Sequence, residues 1–360
     1  MRLSAQHRKK LHKVINGLII LLALGVFVYF AIQTIQKKEM NIEMQAYAGS
    51  AMGTAVKKTL YSESMEENDA ADAMIDTCLE ELENQISARV SGSEIAGLNR
   101  NYAVDGINTL SESVASYLRQ ELLIWEESEG AFSPCIYPLS SLWGIEEGNT
   151  IVPNTTMIES ALIAIDASQI EVNGNDLILH APNMQLDMGA AGKGIACDEI
   201  RTRLCETNIQ GAVVSVGGSI LAYGDKGDGK EWHIGIQNPR GVTGDIFGVV
   251  DTPGNVVVST SGDYEKYFES GGKRFHHIFD PSTGFPADNG LISVTIICEN
   301  GLRSDAMSTA CFVMGLEKGM AYAKEQGVEA IFVTQDKKVY VTDNMKNKFR
   351  LQSEEYELVR

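Results

Sequence analysis

The sequence predicts an α+β fold: a single bilobal domain of mixed, largely antiparallel sheets with packed helices, preceded by one transmembrane helix. Helical and strand patterns alternate irregularly along the chain, which favours α+β over a doubly wound parallel sheet. Ile331–Thr334 and Val339–Thr342 flank a polar turn and are typical of a β-hairpin. The composition, 44% hydrophobic and 22% charged over 360 residues, is that of a globular protein with a large core.

The N-terminal region has the pattern of a membrane anchor. Residues 1–13 contain five Lys or Arg and no acid, and residues 14–35 form an apolar run. Twenty-two helical residues span about 33 Å, close to the roughly 30 Å of bilayer hydrocarbon. A cleaved signal peptide and a buried core helix are the alternatives. The run is longer than the usual signal core of about 7–15 residues, and it is apolar all round.

These features predict a domain order and a location. Residues 1–13 are a cytoplasmic basic tail, 14–35 cross the cell membrane, and 36–48 are a tether. The folded domain then covers 49–346 on the extracytoplasmic side, followed by a C-terminal tail at 347–360.

The charge distribution limits the classes of partner. The chain has a net charge of −18, and residues 1–40 contribute +6, so the remainder carries −24. Such an acidic domain argues against nucleic-acid binding. An anionic ligand would need a metal ion or backbone amides nearby. Six scattered cysteines without a CxxC motif predict few or no disulfides.

Hydrophobic periodicity predicts the main elements of the domain. Helices are expected at 66–88, 111–128, 192–207 and 305–325, and strands at 176–180, 212–216, 232–237, 256–260 and 291–298.

Two segments have the residue types of an anion and metal site. In Leu186–Gly194 an acid, Asp187, ends a strand, and a small-residue loop then leads into a helix whose N-terminus would favour a phosphate. Asp305 and Thr309 lie at i and i+4 on a predicted helix, so their oxygens share one face and suit Mg²⁺. An ordinary strand–helix turn and an ordinary N-cap acid are the alternatives.

Two further segments are unusual without a clear chemical assignment. One joins Ser259–Glu265 to the paired histidines and Pro/Gly turn of His276–Gly284. A zinc site is possible there, but further His or Cys ligands at standard spacing are missing. The other runs from Gly130-Ala131-Phe132-Ser133-Pro134 to Trp143-Gly144, and a packed loop is its alternative interpretation. The chain has no G-x-S-x-G motif, so a serine hydrolase is unsupported.

Taken in order, these segments resemble the ApbE family of FAD:protein FMN transferases. The resemblance begins at Met52-Gly53-Thr54 and ends near 331–342, so it covers almost everything after the apolar run. It also includes Ser93-Glu94-Ile95, Leu98-Asn99, Val216–Ile220 and Trp232–Pro239. It implies an ApbE/T-fold-like domain that moves FMN from FAD onto a Ser or Thr hydroxyl of an acceptor flavoprotein in a membrane electron-transfer system, with Mg²⁺ required and AMP released.

The resemblance also implies roles for individual residues. It makes Asp305, Thr309 and the main-chain oxygen of Ala190 the metal ligands, and His277 the acceptor of the hydroxyl proton. The residues it places around FAD are Met52, Ala131, Phe132, Ser133, Asp187, Lys193 and Phe279.

Two positions depart from the family pattern. Arg89 stands where an aromatic residue often stacks on flavin, and Ser133 replaces the acid of an Ala-Phe-Asp pattern. These departures keep two rival functions open. One is an FAD pyrophosphatase that releases FMN and AMP, and the other is a non-catalytic, membrane-anchored FAD-binding module.

Overall fold

The computed structural model describes residues 42–359. The predicted basic tail at 1–13, the transmembrane helix at 14–35 and the first part of the tether lie outside the described residues. Within 42–359, none of the helices combines the length and the apolar character that crossing a bilayer requires. Glu43–Arg360 forms one compact unit, so the predicted single domain is observed, without a division into two lobes.

The described residues contain seven α-helices and seventeen strands. The helices are α1 (Met65–Ile86), α2 (Glu94–Asn101), α3 (Glu112–Glu127), α4 (Tyr137–Trp143), α5 (Thr155–Ile163), α6 (Gly189–Leu204) and α7 (Gly301–Glu325). The strands are β1 (Glu43–Ala51), β2 (Thr54–Ser62), β3 (Asn108–Thr109), β4 (Ile170–Asn173), β5 (Asp176–Leu179), β6 (Gly211–Val216), β7 (Ser219–Gly224), β8 (Trp232–Gln237), β9 (Ile246–Thr252), β10 (Val256–Gly262), β11 (Tyr267–Ser270), β12 (Lys273–His276), β13 (Leu291–Cys298), β14 (Glu329–Thr334), β15 (Lys338–Val341), β16 (Phe349–Leu351) and β17 (Glu357–Leu358).

The strands confirm the mixed, largely antiparallel architecture. Nine of them form one sheet in the order β1-β2-β6-β7-β10-β13-β14-β15-β17, in which the β15–β17 pair is parallel. Smaller sheets have the orders β16-β9-β8, β3-β5-β4 and β11-β12. All but the last residue of β13 is buried, because β13 lies near the middle of the large sheet and both of its faces are covered.

Two apolar clusters cover the two faces of the large sheet. The larger cluster packs α1, α6 and α7 against one face, with Ile75, Ile195 and Phe312 among its members. The smaller cluster packs the β16-β9-β8 sheet against the other face, through Trp232 and Phe247. All six cysteines are in the described residues and none is bonded to another.

Both predicted ends of the domain require correction. Residues 43–48 belong to β1, which pairs along its whole length with β2, so the domain begins before Gly49. At the other end, β16 pairs with β9 and β17 pairs with β15. Residues 347–360 therefore contribute strands to two sheets and are not a free tail.

A tight turn at Met52-Gly53 joins β1 to β2. Both residues have positive φ, 51° and 67°, and Ala51 pairs directly with Thr54. Positive φ at both central residues is the hairpin turn that matches the twist of the flanking strands. Glycine adopts it without strain, and methionine rarely does, so the turn was not recognisable as a hairpin signal. It places Met52 at the end of the β1–β2 hairpin, partly buried against the larger apolar cluster.

The closest helix–helix contact lies between α6 and α7. A Cβ added to Gly194 would come 2.0 Å from the carbonyl oxygen of Gly301, and one added to Gly301 would come 2.3 Å from that of Gly194. The Asp198 carboxylate of α6 accepts hydrogen bonds from the N–H groups of Gly301 (2.8 Å) and Leu302 (3.0 Å), so it caps α7. Both glycines are required because the two backbones touch.

Gly194→Ala is therefore expected to destabilise the domain, because the new methyl group must push two backbones apart. We expect the free energy of unfolding to fall by about 2 kcal/mol, although alanine itself favours a helix. Denaturant unfolding measures the change. Gly97→Ala in α2 is the control, since no atom lies within 4 Å of its added Cβ. Equal stability of the two variants would contradict the close crossing.

Candidate active site

A cavity of about 390 Å³ opens where the β1–β2 turn, the starts of α6 and α7, and the segments after α1, α3, β10 and β12 meet. All eleven residues predicted from the sequence line it. They are Met52, Ala131, Phe132, Ser133, Asp187, Ala190, Lys193, His277, Phe279, Asp305 and Thr309. The volume is typical of small-molecule sites. The structure therefore brings together side chains that are up to 257 positions apart in the chain.

The Asp305 carboxylate lies at the deep end of the cavity, beside the first turn of α6. Its Oδ2 accepts a hydrogen bond from Gly194 N–H at 3.0 Å, and the residue is 3% exposed. Burial raises the pKa of Asp305, and the neighbouring Lys193 ammonium opposes that rise. The same pairing raises the pKa of Lys193 above its ordinary value, so Lys193 is a cation at neutral pH. The two side chains therefore influence each other electrostatically at the helix crossing.

The donor atoms around Asp305 fit a hard divalent cation. Thr309 lies one turn further along α7, and its Oγ1 is 3.1 Å from the Ser261 hydroxyl. Ala190, in the first turn of α6, supplies a main-chain carbonyl four residues before the amide that binds Asp305. Carboxylate, hydroxyl and carbonyl oxygens are the ligands of Mg²⁺, which also keeps waters and substrate phosphates. These residues would hold the ion.

Zinc does not fit the paired histidines. The His276 ring is buried against Phe312, its Nε2 donates to Ala287 O (2.9 Å), and its Nδ1 accepts from Ile278 N–H (3.3 Å). Only His277 faces the cavity. Within residues 42–359, no three His, Cys, Asp or Glu side chains are grouped to hold a metal. His276 therefore has a structural role.

His277 carries a free ring nitrogen into the cavity. Its Nδ1 is 3.3 Å from the carbonyl oxygen of Lys266, which can only accept, so Nδ1 carries the proton and Nε2 has the lone pair. The pKa of His277 is lowered to about 4, mainly by burial and also by Lys193, His276 and Lys266, while Glu146 opposes the shift. The ring is neutral near pH 7 and can accept a proton.

The Asn99 side chain helps to position Asp187, because it pairs with the backbone of the preceding residue as a neighbouring strand would. Asn99 of α2 accepts from Leu186 N–H and donates to Leu186 O, both at 2.8 Å. Asp187 N–H then donates to Pro134 O at 2.8 Å. The Asp187 carboxylate accepts from Ser140 Oγ (3.1 Å) and from Gly189 N–H (2.9 Å). These contacts explain why Asn99 belongs to the recognised pattern.

Arg89 connects three carboxylates at the mouth of the cavity. It lies 3.0 Å from Glu147, 3.4 Å from Glu146 and 3.6 Å from Asp187, and its guanidinium is 5.6 Å from the centre of the Tyr137 ring. The side chain is 31% exposed, so these ion pairs are screened. Arg89 lines the cavity as a charged residue and contacts Asp187 there.

The apolar wall of the cavity is supported by aromatic packing. Phe132 is 1% exposed, and Phe279 packs against the buried Trp143, with ring centroids 5.8 Å apart. Trp143 Nε1 donates to Gly284 O at 2.9 Å, which ties the turn after Phe279 to α4. The Ser133 hydroxyl donates to Ile165 O at 3.4 Å and is therefore partly satisfied within the protein.

Some cavity residues were not predicted from the sequence. Glu146 pairs with Lys266 at 3.2 Å as well as with Arg89. Burial alone would raise the pKa of Glu146, but Arg89 and Lys266 lower it overall. Glu146 lies in a turn after α4 without a recognisable motif. Lys266 follows the Ser259–Glu265 segment, whose unusual composition was the available signal.

The pKa values of two histidines are shifted in opposite directions, and one experiment can measure both. We expect His277 to titrate at about pH 4 because burial and nearby cations disfavour its protonation. His180 is the internal control, because its hydrogen bond with Asp105 raises its pKa above the ordinary 6.5. An NMR pH titration of the ring resonances measures both. A His277 midpoint near 6.5 would contradict the expected lowering of its pKa by burial and nearby cations.

Comparison with known proteins agrees with the fold. The ApbE family model matches residues 52–332. The FAD:protein FMN transferase of Treponema pallidum (strain Nichols) is 34% identical over 326 residues, which cover 86% of this chain and 90% of that protein. The apo crystal structure of the flavinyl transferase ApbE from Pseudomonas stutzeri has a TM-score of 0.75 and 28% identity, and the match covers 87% of this chain and 98% of that one.

A crystal structure of the ApbE protein from Thermotoga maritima has a TM-score of 0.77 and 28% identity, with 86% of this chain and all of that chain covered. The family model spans well over half of the 360 residues, and the sequence resemblance is thereby confirmed. The chain belongs to the ApbE family.

Proposed function

We propose that this protein transfers FMN from FAD to a Ser or Thr hydroxyl of an acceptor flavoprotein and releases AMP. The observation that carries the proposal is the single cavity in which a carboxylate–hydroxyl pair, a lysine, a neutral histidine and an aromatic wall converge. The names of relatives from Treponema pallidum and Klebsiella pneumoniae, both FAD:protein FMN transferases, support the same activity.

The proposed reaction is a substitution at the FMN phosphorus of FAD. The acceptor hydroxyl oxygen forms a new phosphoester bond, the P–O bond to AMP breaks, and AMP leaves with the electron pair. The hydroxyl proton passes to Nε2 of His277, whose lone pair faces the cavity because Nδ1 donates to Lys266 O. Lys193 compensates negative charge on the phosphates. Mg²⁺, when bound, would neutralise developing charge on the phosphate oxygens.

The charge of the cavity supports a need for a divalent cation. Its described lining contains five acids and three cations, a net charge of −2 before any ligand enters. The acids are Glu83, Glu146, Asp187, Glu265 and Asp305, and the cations are Arg89, Lys193 and Lys266. A pyrophosphate adds further negative charge, which repels the nearby carboxylates in a low-dielectric site. A divalent cation at Asp305, Thr309 and Ala190 would offset that repulsion.

The remaining lining residues suit the rings of FAD. Phe132 and Phe279 offer apolar surface, and Met52 at the β1–β2 turn can adapt to a flat ligand because its side chain is flexible. Asp187 presents a carboxylate that can accept hydrogen bonds from the polar edge of a flavin or an adenine. Arg89, which replaces an aromatic residue here, would have to give up its contact with Asp187 or lie over the ring.

We also propose that residues 14–35 anchor the protein in the cell membrane with the domain on the extracytoplasmic side. The support is the apolar run and its basic flank. Because β1 begins at Glu43, only residues 36–42 separate the apolar run from the domain. A tether of about seven residues extends at most about 25 Å, which favours acceptors close to the membrane surface.

The function is tested with the full chain, FAD, Mg²⁺ and an acceptor protein that exposes a Ser or Thr flavinylation site. We expect the acceptor to gain the mass of an FMN group while AMP appears in equal amount. Intact mass spectrometry and chromatography of the nucleotides measure both products. Free FMN without an acceptor adduct would support the pyrophosphatase instead, and unchanged FAD would support a binding module.

Asp305→Asn tests the cation assignment within the same assay. The change keeps the shape of the side chain and removes its charge, so we expect transfer to fall by about 100-fold or more. Asp251→Asn is the control, because Asp251 is likewise a carboxylate beside cationic or titratable groups, Arg350 and His233, but it lies on β9 and does not line the cavity. Full activity of Asp305→Asn would contradict the assignment of Asp305 as a ligand of the cation.

The anchor is tested by comparing the full chain with a chain that starts at Glu43. We expect only the full chain to stay in the membrane fraction after alkaline carbonate extraction, because an apolar helix of about 20 residues spans the hydrocarbon core. Release of the full chain into the soluble fraction would contradict the anchor.

A further inference from the structure

An ion pair outside the cavity fixes one of its walls. Asp263 is 6% exposed, and both of its carboxylate oxygens accept hydrogen bonds from the Arg240 guanidinium, each at 2.7 Å. Two parallel bonds of this kind give directional as well as energetic specificity. Arg240 lies in the turn between β8 and β9, on the small sheet, and does not line the cavity. Neither residue has a part in the reaction proposed above.

The Arg240 side of the pair belongs to a rigid turn. Asn238 donates to Asp245 Oδ2 at 2.9 Å, and its own Oδ1 accepts from Arg240 N–H at 3.0 Å. The Tyr356 hydroxyl also donates to Asn238 Oδ1, at 2.6 Å, and Tyr356 is 5% exposed. The C-terminal segment thus helps to hold the guanidinium in place.

The segment that begins at Asp263 contacts His277 through the Lys266 carbonyl. Asp263 begins the segment that follows β10, and Glu265 and Lys266 within this segment line the cavity. The Lys266 carbonyl accepts from His277 N–H at 3.1 Å and from His277 Nδ1 at 3.3 Å. The position of this carbonyl therefore decides which ring nitrogen of His277 carries the proton and where the ring points.

We propose that Arg240 is a positioning residue for this reaction: through Asp263 it holds the Lys266 carbonyl against Nδ1 of His277 and so keeps Nε2 free to accept a proton. The expected effect of Arg240 on kcat rests on the proposed function, whereas the positioning of His277 does not. Three links carry the inference: hydrogen bonds run from Tyr356 through Asn238 and Arg240 to Asp263, three residues of backbone lead from Asp263 to Lys266, and the Lys266 carbonyl accepts from His277.

The local packing indicates that loss of Arg240 would loosen the segment without unfolding the domain. Arg274 of β12 lies 3.7 Å from Asp263 and would remain as a second cation beside the buried carboxylate. Asp263 N–H also keeps its bond to Ile292 O at 3.2 Å. The expected consequence is a less ordered Lys266 carbonyl and greater access of water to the His277 ring.

The His277 ring reports such a change through its protonation. The charged or titratable groups around it are Glu146 from the turn after α4, Lys193 from α6, and His276 and Lys266 from the adjoining strand and segment. Burial is the largest cause of its lowered pKa. If water reaches the ring, the midpoint moves upward from about 4 towards the ordinary value of about 6.5.

The test compares Arg240→Met, Arg240→Lys and Asp263→Asn in the full chain. We expect Arg240→Met to lower kcat for FMN transfer by about tenfold, with KM for FAD changed less than about twofold, since positioning and not binding is lost. NMR titration without substrate should show a raised His277 midpoint, and the acidic limb of the kcat–pH profile should move in the same direction. Arg240→Lys keeps the positive charge but loses the planar guanidinium that makes two parallel hydrogen bonds. Its kcat and its His277 midpoint should therefore lie between those of the unaltered protein and those of Arg240→Met.

Arg350→Met is the matched control. Arg350 makes the same two-bonded contact with Asp251, at 2.8 and 2.7 Å, on the same small sheet, but far from His277 in the hydrogen-bond network. It should leave kcat and the His277 midpoint unchanged. Asp263→Asn should reproduce the Arg240→Met changes if the two act together, and it serves in place of Arg240→Met if that variant does not fold.

The outcomes distinguish the positioning of His277 by Arg240 from the proposed transfer of FMN. An unchanged His277 midpoint in folded Arg240→Met or Asp263→Asn would overturn the positioning inference, whether or not the protein transfers FMN. Equal effects of Arg240→Met and Arg350→Met would also overturn it. A raised midpoint in a protein that transfers no FMN would support the positioning of His277 and contradict the proposed function alone.

Discussion

The contact between α6 and α7 at Gly194 and Gly301 is the constraint on which the site depends. The two backbones touch there, and Asp198 of one helix caps the other. Their closeness allows Asp305 of α7 to accept from the amide of Gly194 in α6, beside Lys193. A larger residue at either glycine would separate the carboxylate from the small-residue loop. Oxygen donors from two helices converge only because neither crossing residue has a side chain.

Electrostatic balance is the second property that connects the structure with its chemistry. The domain is acidic, yet the cations of the cavity lie near carboxylates: Asp305 raises the pKa of Lys193, Lys266 pairs with Glu146, and Arg89 pairs with Asp187 and two glutamates. These pairs keep positive charge inside the cavity without a basic surface. An anionic ligand can therefore exchange partners with groups already present, and His277 remains neutral among them because burial and adjacent cations disfavour its protonation.

Much of the fold was predictable because local signals were strong. The helix predicted at 66–88 is α1, whose Ser64 cap accepts from Glu67 N–H. The predicted strand at 291–298 is β13, a continuous apolar run. The β1–β2 hairpin was missed because a methionine with positive φ replaces the usual turn residues. The short strands after residue 346 were missed because their stability comes from pairing with β9 and β15, which are far away in the chain.

The sequence by itself determined which segments are candidates for the site, because an acid and a threonine one helical turn apart, a small-residue loop and a paired-histidine segment are local patterns. The tertiary structure decided how they are arranged. It separated His277 from His276, assigned the protons of the His277 ring, and brought Glu146 and Lys266 beside Arg89. Such relations depend on distances between elements that are remote in the chain, and only the packing of the helices on the large sheet sets those distances.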